Sequence, residues 1–339
     1  KLLDEGLFPL VISSMNEENL KIIGLICTAT RHLSAVAPEY FHELIETLPI
    51  EFLLNIYDVP EVIDFLQETA YNFDDFAHFL LDGEIGQVLL NSVGQWLSHN
   101  EETAKSALEL INTLAQLPDT GDFDFSFVKP FIDGQYSTDI RALALNILRQ
   151  IDLENSDEYF GIFFGMFMSE KPTSIVFQII HDDLKNEEIF NHFYRENFQE
   201  LFERSIENLD VPDSAVILAD ISPQLDPENR ELIIAHIFEQ PELCIERADT
   251  LFRICSENEI SLPPEYVERL IVDMETNMSD DVLRCAEAIL KMNANHLTSG
   301  DLQMKFIPVF EREPQFSVYA FKVILFCCSE CEVAQPVLE

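Results

Sequence analysis

Glycine is scarce in this chain, with ten residues among 339. Sheets joined by tight hairpins draw heavily on glycine, so the scarcity argues against them and for helices linked by short polar loops. Tryptophan is reduced to one residue, Trp96, beside 27 Phe, which makes flat phenyl rings the main filling of the core. Cations are the third shortage. Twenty Lys and Arg face 62 Asp and Glu, a formal net charge of −42. A field of that sign repels nucleic acid and anionic membrane surfaces, both of them polyanions. Long apolar runs are missing too, and nothing approaches the ~20 residues that span a bilayer. The longest candidate, Tyr159 to Met168, carries two glycines and reads as a buried helix.

The signatures of common chemistries are also missing. The chain has no Gly-rich phosphate loop, no Gly-x-Ser-x-Gly turn and no His-Glu-x-x-His helix. Its eight His are scattered singly, and none forms an i,i+4 ligand pair. Carboxylate pairs abound, but among so many acids they point to no acid–base chemistry. Cys255 and a distant His could meet only by folding. The expectation is therefore a protein that is not an enzyme, with no cofactor and no metal site. The seven Cys lie at 27, 244, 255, 285, 327, 328 and 331, mostly in apolar helical context. They read as reduced, buried thiols of an intracellular protein, cytoplasmic or nuclear. Cys328-x-x-Cys331 has metal-like spacing but neither a second pair nor a nearby His.

The apolar content of 47% is ample for a folded core. The chain also repeats itself. Asn16-Glu17-Glu18 and Asn100-Glu101-Glu102 each open an apolar helical pattern, 84 residues apart, which is two periods of about 42. Other helix starts carry Pro at the first helical position, where its missing N–H has no partner to lose. They are Pro60, Pro172, Pro212, Pro241 and Pro314. Ser137-Thr138-Asp139 and Ser279-Asp280-Asp281 offer oxygens to first-turn amides. The starts fall near 16, 60, 100, 137, 171, 212, 241, 280 and 314, which predicts about nine repeats. Ile140, Leu143, Ile147 and Leu148 form one apolar stripe; Leu283, Ala286, Ile289 and Leu290 form another. Partner helices are predicted over 40–57, 186–209 and 264–277. A helix pair of this size cannot bury its apolar face alone, so neighbours must stack.

The wording of several segments resembles a known family. Gly6-Leu7-Phe8-Pro9-Leu10-Val11, a polar break and a long apolar helix look like an armadillo repeat. Asp281-Val282-Leu283-Arg284-Cys285-Ala286 and Asp139-Ile140-Arg141-Ala142-Leu143-Ala144 are similar to the Asp…Arg…Ala pattern of HEAT repeats. The expected fold is all-α, a right-handed α-solenoid of about nine armadillo/HEAT-like helix pairs. It forms a single array over 1–339, with its softest point at 117–122. Lys1 in place of Met and a final segment that stops mid-pattern suggest a piece of a longer chain.

Acids recur at the helix starts: Glu17, Glu18, Glu61, Glu101, Glu102, Asp139, Asp213, Glu242, Asp280 and Asp281. Equivalent positions of a stack form a ladder, to which an extended basic chain can bind. Each acid is also accounted for by the helix dipole alone, at about 0.3–1 kcal/mol, and the charge as a whole by solubility. A second ladder is basic: Lys21, Lys105, Arg141 and Arg284. Here the expected role is structural, with each stem crossing a repeat junction to pair acids of the next repeat. Phe123, Phe125, Phe127 and Phe131, then Tyr159 to Phe167, read as core.

The leading expectation is a non-catalytic scaffold or adaptor that binds partner proteins along an acidic, elongated surface, plausibly through Lys/Arg-rich segments. Direct nucleic-acid or membrane binding is not expected. The family resemblance also allows a nuclear transport receptor of the importin-β/exportin kind, or a regulatory or assembly subunit of a phosphatase or proteasome. The regular Trp and Asn array of importin-α is missing.

Overall fold

The computed structural model describes residues 23–29, 49–56, 59–117, 120, 123–276, 280–294, 297 and 317–330. Among them every regular element is helical and no strand occurs, as the glycine scarcity predicts. No helix among the described residues is long and apolar enough to cross a membrane. The chain divides into two compact units, Lys1–Glu170 and Lys171–Glu339.

In the first unit the helices of eight or more residues are α1 (Pro60–Asn72), α2 (Asp74–Leu81), α3 (Gly83–His99), α4 (Glu101–Ala115), α5 (Thr138–Ile151) and α6 (Ser156–Ser169). A 3-10 segment, Ser126–Ile132, precedes α5. Helices α1, α4 and α5 pack in succession, α1 on α4 and α4 on α5. Against this row lie α3, on α4, and α6, on α5. The second unit contains α7 (Ser174–Leu184), α8 (Phe198–Glu207), α9 (Pro212–Ile221), α10 (Pro227–Glu239), α11 (Ile245–Asn258), α12 (Pro264–Thr276), α13 (Asp280–Met292) and α14 (Ser317–Glu330). Here α7, α9, α11, α13 and α14 pack in succession, while α8, α10 and α12 lie against α9, α11 and α13.

Local chemistry explains several of the starts. Asn100 accepts the Thr103 amide at 2.9 Å and so caps α4. Asp226 does the same for the Asn229 amide at 2.8 Å, with Pro227 at the first position of α10. Helix α4 then buries Ala104, Ala107, Leu108, Ile111 and Leu114, a stripe at helical spacing. Helix α5 is walled by α4, α6 and the 3-10 segment. It therefore buries even Asn146 and Arg149.

Several expectations are corrected. The starts predicted at Pro172 and Pro241 fall later, at Ser174 and Ile245. In the second case Leu243 is buried just ahead of the helix and Cys244 is extended, so a helix cannot begin at Pro241. Ser137 precedes α5 but makes no capping bond. The helix predicted over 186–209 is broken. Residues 187–189 form one turn, Phe190–Tyr194 a π-helical turn, and α8 begins only at Phe198. Tyr194 is fully buried in the π turn and donates its hydroxyl to Asp183 at 2.7 Å. That tertiary bond accompanies the extra residue in the turn. The Tyr159–Met168 run is not buried all round: Phe160, Phe163, Met166 and Phe167 face inward, whereas Gly161, Ile162, Gly165 and Met168 are exposed. The start at 16 and the residues around 314 lie outside the described residues, as does most of 40–57.

Candidate partner-binding surface

The predicted acids occupy three kinds of place. Glu61, in the first turn of α1, and Glu101 and Glu102, in that of α4, are exposed. Glu242 is also exposed, but it lies in a bend ahead of α11 rather than in a helical turn. Among the described residues no Lys, Arg or His side chain stands at ion-pair distance from these four. Asp139 and Asp213 are half-buried and engaged. Asp139 pairs with Lys105 of α4 at 3.0 Å, and Asp213 accepts from Gln178 of α7 at 3.3 Å. Asp281 is exposed and pairs within its own helix with Arg284, at 3.4 Å. Asp280 opens α13; Glu17 and Glu18 lie outside the described residues.

The basic ladder behaves as predicted at two positions. Lys105 reaches Asp139, and Arg141 of α5 reaches Glu170 at 2.6 Å, with Thr138 donating to the same carboxylate at 3.0 Å. These pairs span 34 and 29 residues and tie α4 to α5, and α5 to the end of α6. Arg284 stays within its helix, and Lys21 lies outside the described residues.

More such cross-links occur than the sequence revealed. Lys171 pairs with Asp210 at 2.7 Å. Asp220 of α9 joins three helices, with His181 Nδ1 of α7 at 2.5 Å and Arg253 of α11 at 3.1 Å. Lys322 of α14 and Lys291 of α13 both meet Glu287. Arg269 holds Asp273 at 3.0 Å and the Pro241 carbonyl at 2.9 Å. Arg247 and Arg230 donate to backbone carbonyls, and Arg149 to Asn146. Lys129, Lys185 and Arg204 have carboxylate partners as well. Among the described residues, Arg195 is the single Lys or Arg whose side chain makes no such bond. A spacing of 29–39 residues between a cation and an acid is the signal that could have found the lateral pairs. Backbone acceptors leave no such trace.

The consequence is electrostatic. Nearly all the described cations have acceptor partners, many of them between helices and others within their own helix, while acids outnumber cations by 42 over the whole sequence. The carboxylates left over present acceptors for ammonium and guanidinium groups and repel anions. Two other acids, each beside a cation, show how burial and charge act on the carboxylates. Glu109, half-buried on α4, is held above the ordinary carboxylate range. Burial is the main cause, opposed by Lys105, with Asp64 and Asp139 adding to the rise. Glu170 is held below its range, chiefly by the Arg141 hydrogen bond.

A raised carboxylate favours the protonated form in the folded state. The stability it contributes is full below the ordinary value of 4.5 and lost as pH rises through the folded-state value. Glu109→Gln is therefore expected to raise the melting temperature at neutral pH and to leave it unchanged below pH 4.5. A variant that melts lower at neutral pH would show the Lys105 attraction to be the stronger influence.

Among the described residues the thiols with shifted acidity are less reactive, not more. Cys255 is completely buried, and burial pushes its thiol up to about 12, so the nucleophilic thiolate is not formed at neutral pH. Cys244 and Cys285 are pushed up by burial as well. Among the described residues no three His, Cys, Asp or Glu side chains gather to hold a metal ion. Cys331 lies outside the described residues. No protein-family model matches the chain, and no curated protein is similar to it.

Proposed function

We propose that this chain is a non-catalytic scaffold, an armadillo/HEAT-like stack of helix pairs, that binds Lys/Arg-rich segments of partner proteins on its acidic surface. The stack is supported by the successive packing of α1, α4 and α5 in one unit and of α7, α9, α11, α13 and α14 in the other. Further support comes from hydrogen bonds and ion pairs that recur between residues 34–35 apart, within the spacing of about 30–44 between the predicted helix starts.

The observation that carries the binding reading is the fate of the cations. Here the described Lys and Arg, Arg195 excepted, are committed internally, and Glu61, Glu101, Glu102 and Glu242 are left open to solvent. Such a surface attracts a basic segment over a distance and holds it by many weak contacts.

The test is direct binding, by titration calorimetry, of a Lys/Arg-rich peptide and of the same peptide with every cation replaced by Glu. The basic peptide is expected to bind and the acidic one to give no signal. Equal binding of both, or binding of neither, overturns the reading.

A further inference from the structure

Helices α2 and α3 meet in a sharp corner at Asp82 and Gly83. Gly83 sits at φ +50°, in the left-handed region that favours glycine. Gly86 packs so closely that a Cβ there would lie 2.4 Å from the Leu81 carbonyl oxygen. The corner therefore cannot relax without moving backbone. Between it and residues 123–124 lies a cavity of about 820 Å³, within the size range of small-ligand sites. Its walls include Asp75, His78, Phe79, Asp82, Phe123 and Asp124.

Two independent features of this cavity call for the same partner chemistry. The first is apolar: Phe79 leaves 43% of its surface exposed, and Phe123 is only half-buried. The second is charge: three carboxylates line the space, and no Lys or Arg is among the described lining residues. Asp124 is firmly ionised, because the Ser126 amide, 2.8 Å away, and then the Ser126 hydroxyl hold its carboxyl below the ordinary range. An anion is repelled here, and a purely apolar ligand gives the carboxylates of Asp75 and Asp82 no hydrogen-bond donor, whereas Asp124 already has Ser126 and lies in the field of Lys129. A guanidinium satisfies both features, since its plane stacks on phenyl rings, its N–H groups fork onto carboxylates, and its stem covers apolar surface.

We propose that this cavity is the anchor site for an arginine side chain of the bound basic segment. The proposal rests on the scaffold reading above and names the place where one residue of the partner is held.

The experiment titrates an arginine-rich peptide into the full chain at about 0.15 M salt, where the Debye length is about 8 Å and distant charges are screened. Three proteins are compared with the parent. One carries Asp75→Asn, Asp82→Asn and Asp124→Asn; Asn at 124 keeps an acceptor for Ser126. The second carries Glu228→Gln, Glu231→Gln and Glu239→Gln, which remove the same charge from exposed positions of α10. The third carries Phe79→Leu alone, a change at a partly exposed position that keeps apolar bulk without the ring. The cavity triple variant is expected to lose about tenfold or more in affinity, about 1.4 kcal/mol. The α10 variant is expected to lose less than about twofold. Phe79→Leu is expected to lose severalfold, and it decides the matter should the triple variant fail to fold. Equal losses from the two triple variants, or an unchanged affinity for Phe79→Leu, overturn the anchor site and leave the scaffold reading standing. Failure of the parent chain to bind the peptide removes the scaffold reading and the anchor site together.

Discussion

Replacing Arg247 by alanine is expected to cost about 3 kcal/mol of stability. Arg247 sits in the first turn of α11 and is 5% exposed. Its Nε and Nη2 donate to the Leu209 carbonyl at 3.1 and 2.6 Å, Nη2 also to Asp210 at 3.3 Å, and Nη1 to Glu242 at 2.8 Å. These carbonyls belong to the turn after α8 and to the bend before α11, where the backbone has no helical donors of its own. One planar fork thus closes two chain ends at once. Alanine leaves the Leu209 oxygen buried without these donors and opens a void where the stem ran. For a cooperative unit of this size, such a loss lowers the melting temperature by about 6–12 °C. Arg247→Lys keeps the charge but not the fork, and is expected to recover only part of the loss. A loss below about 0.5 kcal/mol for Arg247→Ala would place the capping of this turn elsewhere.

Asn146→Leu is expected to be nearly as damaging, at about 3 kcal/mol, although leucine suits a buried helix better than asparagine. Asn146 and Arg149 are 5% and 7% exposed on the enclosed face of α5. The Asn146 carbonyl oxygen accepts from Arg149 Nη2 at 2.5 Å, and its amide donates to Asn112 of α4 at 2.8 Å. The guanidinium also lies 5.9 Å from the centre of the Phe163 ring of α6. Leucine takes a hydrogen-bond acceptor from a buried cation, which is costlier than removing the polar pair together. The double variant Asn146→Leu/Arg149→Met is therefore expected to be more stable than Asn146→Leu alone. Denaturant titration of the single and double variants measures this coupling. Strict additivity would show that the two side chains act independently.

The all-helical class, and several of the helix starts, could be read from sequence because their signals are local. Pro60, Asn100 and Pro212 each satisfy or dispense with first-turn amides by their own chemistry. Pro172 and Pro241 carry the same signal and mislead, because proline suits the extended residues before a helix as well as its first turn. Burial of Leu243 decides the second case, and burial depends on the rest of the unit. The π turn at Phe190–Tyr194 was unreadable for a similar reason, since Tyr194 is held by Asp183 of the preceding helix. The pairings of Lys105 and Arg141 were legible because their acids lie 34 and 29 residues further along the chain, near the next helix starts. Arg247 was not, because its partners are carbonyls, which every residue has. The cavity beside Phe79 was equally hidden. Residues some forty positions apart build it, and the corner that shapes it depends on Gly83 and Gly86, whose roles only the backbone geometry reveals.

If the unmatched carboxylates bind basic segments, ionic strength probes that binding most directly. Raising salt from about 0.1 M to about 1 M shortens the Debye length from about 10 Å to about 3 Å. The dissociation constant of a Lys/Arg-rich peptide is then expected to weaken at least about tenfold, about 1.4 kcal/mol. An affinity that stays level across this range would contradict the account and assign the charge to solubility.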